Sequence, residues 1–337
     1  MKIWRAFIER LARAASRRAY RYFGVMLRFV EFCLPVPILV FFLFPAAAVT
    51  ATCELVMGKR HSTFRQLHHL SESARHAGAQ WRPRSFAQIW TVRVAMCMVR
   101  LLRYWPDRLR KQRWRRRCQF VGLERLKAVL DEGRPVVLAT LHYGNLTELY
   151  HCIRSCGIGV AFLTARRDSA LPYRSQLDSW ADCANGLEGV PRRIEVGHLN
   201  LSQAIGFLAQ PNRVLAIPIE GHAKRDMMVR GPGYFLRAAP GALHLAGLTG
   251  AVVIPCLFSA EKYLRSTIRF GEPLADDVVS HRERHPLGYE NILQQIGPWI
   301  AENPEQSAPE LIDAISFRGP PVHGDGLAKA AAEIDDP

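Results

Sequence analysis

Short apolar runs alternate with helical patterns in the second part of the chain. Five runs predict buried strands, at 135–141, 160–164, 214–219, 251–258 and 266–270. Segments with helical periodicity lie between them, at 146–156, 200–210 and 240–249. Strands that alternate with helices are typical of an α/β fold with a parallel sheet. The pattern therefore predicts an α/β domain over 119–306, with a largely parallel central sheet flanked by helices.

The first 60 residues have a different pattern, which predicts a membrane anchor. Basic and apolar residues recur at helical spacing in the first 28 positions, as in an amphipathic helix on an anionic membrane. A solvated helix and a transit peptide are the alternatives. Residues 32–53 carry no charge and are long enough to cross a hydrocarbon core of about 30 Å. Three prolines interrupt this stretch, so it either spans once or dips in and returns.

Two further segments flank the α/β domain. Residues 61–118 are basic and helical in pattern, and they end in a run of arginines that suits phospholipid head groups. Residues 307–337 carry little apolar content, which predicts a loose C-terminal tail.

The charge balance narrows the class of partner. Lys and Arg exceed Asp and Glu by 45 to 30, which favours anionic partners such as phospholipid, nucleic acid or an acidic carrier protein. No helix-turn-helix, zinc or RNA-binding signature accompanies the basic runs, so nucleic acid is not expected. The eight cysteines form no C-x-x-C pair, which indicates reduced thiols in a protein that faces the cytosol.

His142 lies at the most informative position in the chain. It follows the predicted strand 135–141, precedes a Gly144-Asn145 turn, and is followed by a predicted helix. Open α/β sheets bind ligands at such strand ends. Glu148 comes six residues later, so the two side chains have the chemistry of a general base and the carboxylate that orients it. A structural histidine at a strand end and a solvated Glu148 are the alternative interpretation.

Other sequence motifs exclude several enzyme classes. The chain has no G-x-S-x-G elbow, Walker loop, H-E-x-x-H or Rossmann glycine fingerprint. The strand 214–219 is followed by Glu220, and Arg230-Gly231 comes shortly after in a basic loop that suits an anionic ligand. A small-residue helix and a strand with Pro255 follow.

The order of these motifs resembles the lysophospholipid acyltransferase superfamily, and most closely its bacterial lipid A lauroyl/myristoyl acyltransferases. That family has His-Phe-Gly-Asn-Trp-Glu after an apolar strand, where this chain has His142-Tyr-Gly-Asn-Leu-Thr-Glu148. A strand ending in an acid, a basic residue before glycine, and a Pro-Glu-Gln stretch near residue 306 also correspond. The likeness covers about 120–306. The carboxylate is displaced by one residue, which is about 100° of helix rotation.

The resemblance implies an acyltransferase at the bacterial inner membrane, with its active site facing the cytoplasm and without a cofactor or metal. An acyl carrier protein or acyl-CoA would donate the fatty acyl chain to a lipid or glycolipid acceptor, as in lipid A biosynthesis. His142 would be the base and Glu148 its orienting acid. Backbone N–H groups near Gly144 and Asn145 would stabilise the oxyanion. The remaining binding residues implied are Arg166, Arg167, Glu220, Arg230 and Gly231.

Three alternatives remain open at this point. The displaced acid makes a catalytically impaired, membrane-binding relative one possibility. An acyltransferase for an acceptor other than a lipid A precursor is the second, and a basic DNA-binding module is the last.

Overall fold

A computed structural model of the protein describes the residues that form the fold. These are residues 36–56, 63–76, 85–102, 118–144, 146–165, 187, 189–191, 193–196, 201–221, 226–261 and 265–317. The fold is α/β, with a mostly parallel sheet flanked by helices, as the alternating pattern predicts.

A seven-stranded sheet forms the centre of the protein. Its strands are β1 (Cys118–Val121), β2 (Val136–Thr140), β3 (Val160–Ala165), β4 (Arg193–Val196), β5 (Val214–Pro218), β8 (Val252–Ala260) and β9 (Ser266–Phe270). They are arranged in the order β1-β9-β8-β2-β5-β3-β4. Only the β8–β9 pair is antiparallel. The middle strands β2 and β8 are buried along their whole length and apolar except for Thr140 and Ser259, because helices cover both faces of the sheet.

Helices surround this sheet and connect its strands. Along the chain they are α1 (Val36–Val56), α2 (Thr63–His76), α3 (Phe86–Leu102), α4 (Leu123–Asp131), α5 (Leu146–Ser155), α6 (Leu201–Leu208), α7 (Gly241–Thr249), α8 (Asp276–Ser280), α9 (His285–Glu302) and α10 (Pro309–Ala314). Short 3₁₀ turns occur at Arg282–Arg284 and Pro304–Gln306. All five strands and all three helices predicted within the α/β domain are present, with ends that differ by at most two residues.

A second, three-stranded sheet extends the fold beyond the predicted boundary at residue 306. It contains the hairpin β6 (Met227–Gly231) and β7 (Tyr234–Ala238), and β10 (Ile315–Ser316) pairs antiparallel with β7. Residues 307–317 are therefore part of the folded core. The expectation of a loose tail is wrong for them, because Leu311 and Ile312 are buried in the same hydrophobic cluster as Tyr234 and Leu236 of the hairpin. Residues 318–337 lie outside the described residues.

The helices before β1 also pack into the α/β domain. Ile89 and Met96 of α3 belong to the same buried clusters as the sheet strands, so 61–118 is not a separate segment where it is described. Helix α1 packs on α3 through Ala47, Ala51 and Val94, and it continues through Pro45 instead of breaking there. In the part of the chain that the structure describes, no helix is both long enough and apolar enough to cross a membrane. The predicted amphipathic helix over the first 28 residues lies outside the described residues.

We expect Leu311→Ala to destabilise the whole domain, because Leu311 is fully buried in α10. Large-to-small changes of this kind cost about 2–5 kcal/mol of the free energy of unfolding. Urea unfolding followed by circular dichroism measures this loss. Glu310→Ala, on the same helix, serves as the control and should change stability by less than about 0.5 kcal/mol. Equal stabilities for the two variants would show that α10 is not part of the cooperative fold.

Candidate functional site

Strand register brings His142 and Glu220 together at one edge of the central sheet. Strands β2 and β5 pair in parallel, with Thr140 opposite Pro218. The ladder continues for one more bond, because the Ile219 N–H donates to the Thr140 carbonyl at 2.8 Å. His142 and Glu220 each follow two residues after the last registered pair. Because parallel strands end at the same edge, the two side chains emerge side by side.

The imidazole of His142 contacts the carboxylate of Glu220. Nδ1 of His142 lies against Oε1 of Glu220, and the same oxygen accepts the backbone N–H of His142 at 2.8 Å. The Glu220 side chain has no exposed surface, whereas 40% of the His142 side chain is exposed. A carboxylate at Nδ1 places the proton of a neutral imidazole on that nitrogen, which makes Nε2 the proton-accepting position. A buried acid and a half-exposed imidazole thus form an oriented base.

Glu220 therefore occupies the orienting position that the sequence assigned to Glu148. Glu148 is the third residue of α5, and its side chain lies outside the described residues. The family resemblance implied that Glu220 is a substrate-binding residue, whereas in the structure its carboxylate makes the Nδ1 contact itself. The second carboxylate oxygen, Oε2, is buried and has no hydrogen-bond partner within the described ranges.

The turn after His142 requires glycine at position 144. Gly144 has a φ of +59°, and a Cβ atom there would collide with the backbone carbonyl of Phe258. Its N–H donates to the Gln306 carbonyl at 2.9 Å. Because the Gly144 N–H already makes this bond, it cannot donate to an oxyanion in this conformation. The sequence-based expectation was that N–H groups near Gly144 and Asn145 would do so. Asn145 lies outside the described residues.

A segment distant in sequence, residues 303–308, holds the His142 turn in place; we call it the clamp. The Ala308 N–H donates to the His142 carbonyl at 2.8 Å, and Ser307 forms an antiparallel bridge with Tyr143. The Gln306 side chain bonds the backbone of Ala260, accepting from its N–H at 2.7 Å and donating to its carbonyl at 2.9 Å. The clamp therefore ties the His142 turn to the end of β8. The Pro-Glu-Gln stretch is visible in the sequence, but nothing in the sequence indicates that it attaches the His142 turn to β8.

Tyr143 anchors the same turn from its buried side. Its ring is only 1% exposed, and its hydroxyl donates to the Asn303 carbonyl at 2.9 Å. Burial raises the pKa of the Tyr143 phenol well above 10.0, and the negative charge of Glu305 raises it further. Tyr143 is therefore a neutral structural donor and not a catalytic acid at neutral pH.

Of the remaining residues predicted for the site, the structure describes only Arg230 and Gly231, and neither has a recorded contact with the His142–Glu220 pair. Arg230 is exposed on β6, three residues from Met227, whose partner Ala238 bridges to Glu220. Three residues of strand span about 10 Å. Gly231 is buried, and a Cβ atom at this position would lie 3.0 Å from the ring of Tyr234, so its small size serves packing. Arg166 and Arg167 lie outside the described residues.

Among the residues that the structure describes, no three His, Cys, Asp or Glu side chains are grouped so as to hold a metal ion. The imidazole–carboxylate pair itself has the chemistry for proton transfer.

The chain matches no protein-family model and no curated protein sequence.

We expect Gln306→Leu to destabilise the protein by about 1–3 kcal/mol, because it leaves the buried N–H and carbonyl of Ala260 without partners. Gln295 provides a matched control. Its carboxamide bonds the N–H and carbonyl of Glu272 in the same way, but in an exposed setting. Gln295→Leu should therefore cost less, as measured by urea unfolding. An equal or smaller loss for Gln306→Leu would contradict the clamp.

We expect Tyr143→Phe to reduce the loss of stability that occurs as the pH rises into the alkaline range. The pKa of Tyr143 is raised in the folded protein, so the unfolded phenol ionises first, near pH 10.0. Its contribution to stability is complete below that pH and is lost as the pH rises towards the folded-state pKa. The variant should lose less free energy of unfolding above pH 10.0 than the wild type, as measured by urea unfolding across pH. Parallel pH profiles would rule out this assignment. Burial also raises the pKa of Tyr234 and Tyr289, which accounts for the dependence that remains.

Proposed function

We propose that this protein is a membrane-associated acyltransferase, which moves a fatty acyl chain from an acyl thioester to a lipid or glycolipid acceptor. The observation that carries the proposal is the contact between His142 Nδ1 and the fully buried carboxylate of Glu220 at the carboxyl edge of the sheet. The motif order that resembles the lipid A acyltransferase family supports the same reaction class. The formal charge of +15 suits an acidic carrier protein and an anionic lipid surface.

In the proposed reaction, His142 acts as a general base through Nε2. It takes the proton of the acceptor hydroxyl or amine while the acceptor oxygen or nitrogen attacks the thioester carbonyl. Collapse of the tetrahedral intermediate expels the carrier thiolate, and the imidazolium returns the proton to that sulfur. Glu220 holds the imidazole in the Nδ1–H tautomer and stabilises the positive charge that develops on it.

The choice of Glu220 over Glu148 as the orienting acid distinguishes this proposal from the mechanism that the family resemblance implies. The pairing of β5 with β2 determines the position of Glu220, which follows β5. The carboxylate of Glu220 also accepts the backbone N–H of His142. An acid with two hydrogen bonds to the same residue restricts both the ring and the backbone of that residue. We infer that Glu148 contributes less to the rate than Glu220 does.

The test is acyl transfer by the full chain from a fatty acyl thioester, supplied on acyl carrier protein or on coenzyme A. The acceptors offered are a lipid A precursor and a lysophospholipid, and acylated lipid is measured. His142→Ala should abolish turnover. Glu220→Gln should lower kcat by about a hundredfold to ten-thousandfold, because general-base catalysis contributes that much and the amide disfavours the correct tautomer. Glu148→Gln should have a much smaller effect.

His68 and Glu72 form a histidine–carboxylate pair on the surface of α2, at 3.6 Å, and provide the matched control. His68→Ala should leave turnover unchanged. Unchanged turnover in His142→Ala would contradict the mechanism. A larger loss in Glu148→Gln than in Glu220→Gln would return the orienting role to Glu148. Lipid binding by the wild type without any transfer would favour a catalytically impaired relative.

A further inference from the structure

A buried arginine connects the helices before β1 to the clamp. Arg93 of α3 is 5% exposed, and its Nη2 donates to the Ser307 carbonyl at 2.5 Å. A guanidinium is always charged, and its burial costs free energy unless its hydrogen bonds replace those to water. An arginine that is buried at this cost, with its terminal nitrogen on one backbone carbonyl, fixes the position of that carbonyl.

The Ser307 carbonyl is only one residue away from the bonds that hold His142. The neighbouring residue, Ala308, donates to the His142 carbonyl, and Ser307 itself bridges to Tyr143. On the other side, Gln306 accepts the Gly144 N–H. A shift of the clamp would therefore move the backbone on both sides of the imidazole. Helix α3 also contacts the Pro304–Gln306 turn and β8, so Arg93 lies at the centre of this junction.

We propose that Arg93 is a positioning residue, which holds the clamp so that His142 keeps its contact with Glu220. This inference rests on the proposed function, because the rate that Arg93 controls is that of acyl transfer. It gives the helical pair α1 and α3 a part in the reaction. Trp90, one turn before Val94 on α3, packs edge-to-face on Phe44 of α1 with ring centroids 6.2 Å apart. The apolar helix α1 is thus connected to the active-site turn through a single intervening helix.

A purely structural Arg93 would affect stability, whereas a positioning Arg93 would also affect the rate at which bound substrate reacts. Arg154 allows the two roles to be separated. It is equally buried, at 3% exposed, and donates to the Val160 carbonyl at 3.0 Å, near the end of α5 furthest from His142. Arg154→Met and Arg93→Met each remove a buried guanidinium from a backbone carbonyl, but only the latter touches the clamp.

The experiment measures kcat and the KM for the acyl-carrier thioester in the full chain. Arg93→Met should lower kcat by about tenfold to a hundredfold, the effect of a small misplacement of a catalytic group, and should leave this KM nearly unchanged. Arg93→Lys should recover much of kcat, because an ammonium can donate to the same carbonyl; it also serves if Arg93→Met does not fold. Arg154→Met should keep the wild-type kcat. A loss of kcat in Arg154→Met as large as in Arg93→Met would overturn the proposal.

A second measurement, of the tautomer of His142, tests the positioning role of Arg93 and does not require turnover. The ¹⁵N chemical shifts of the His142 imidazole distinguish the Nδ1–H from the Nε2–H tautomer, with His142→Asn used to assign the signals. The wild type and Arg154→Met should show the Nδ1–H tautomer, and Arg93→Met a mixture. The same shifts in wild type and Arg93→Met would overturn the positioning role. A wild type that transfers no acyl group, but whose tautomer depends on Arg93, would refute the proposed function alone.

Discussion

The parallel pairing of β2 with β5 is the constraint on which the candidate site depends. It places Thr140 opposite Pro218, and the two residues that follow each of them lead to His142 and Glu220. A shift in register by one residue would reverse the face to which either side chain points and separate the base from its acid. The strands can keep this register because they are apolar and buried between layers of helices, where any shift would expose core residues. The same strand register therefore maintains both the packing of the core and the geometry of the site.

The turn after β2 needs support from outside the sheet. Beyond Thr140 the backbone has left the ladder, and buried N–H and carbonyl groups must find other partners. The clamp supplies them through Gln306, Ser307 and Ala308, while Gly144 adopts a positive φ beside the backbone of Phe258. Segments more than 150 residues apart in sequence thus share one hydrogen-bond network, which Arg93 extends to a third region of the chain.

The amino-acid sequence was sufficient for the elements with strong periodicity and for the position of His142 at a strand end. The apolar runs of β2, β5 and β8 predicted buried strands, and the strand–turn–helix pattern identified His142. The hairpin β6–β7 was not predicted because Arg230 and Arg237 interrupt its apolar residues. Glu148 was assigned as the partner of His142 because the sequence shows that the two residues are close along the chain. It does not show the register between β2 and β5. Glu220 also follows a predicted strand, so pairing the two strand ends would have indicated it. Arg93 and Gln306 act through backbone carbonyls and amides, for which a single sequence carries no signal.

The central claim is that the imidazole of His142 is the reacting base at an acyl-thioester site. Diethyl pyrocarbonate acylates the unprotonated nitrogen of histidine, and mass spectrometry reports the rate of modification at each histidine of the full chain. We expect a saturating fatty acyl thioester to slow the modification of His142 and to leave that of the surface residue His68 unchanged. Modification of His142 at the same rate with and without the thioester would contradict it.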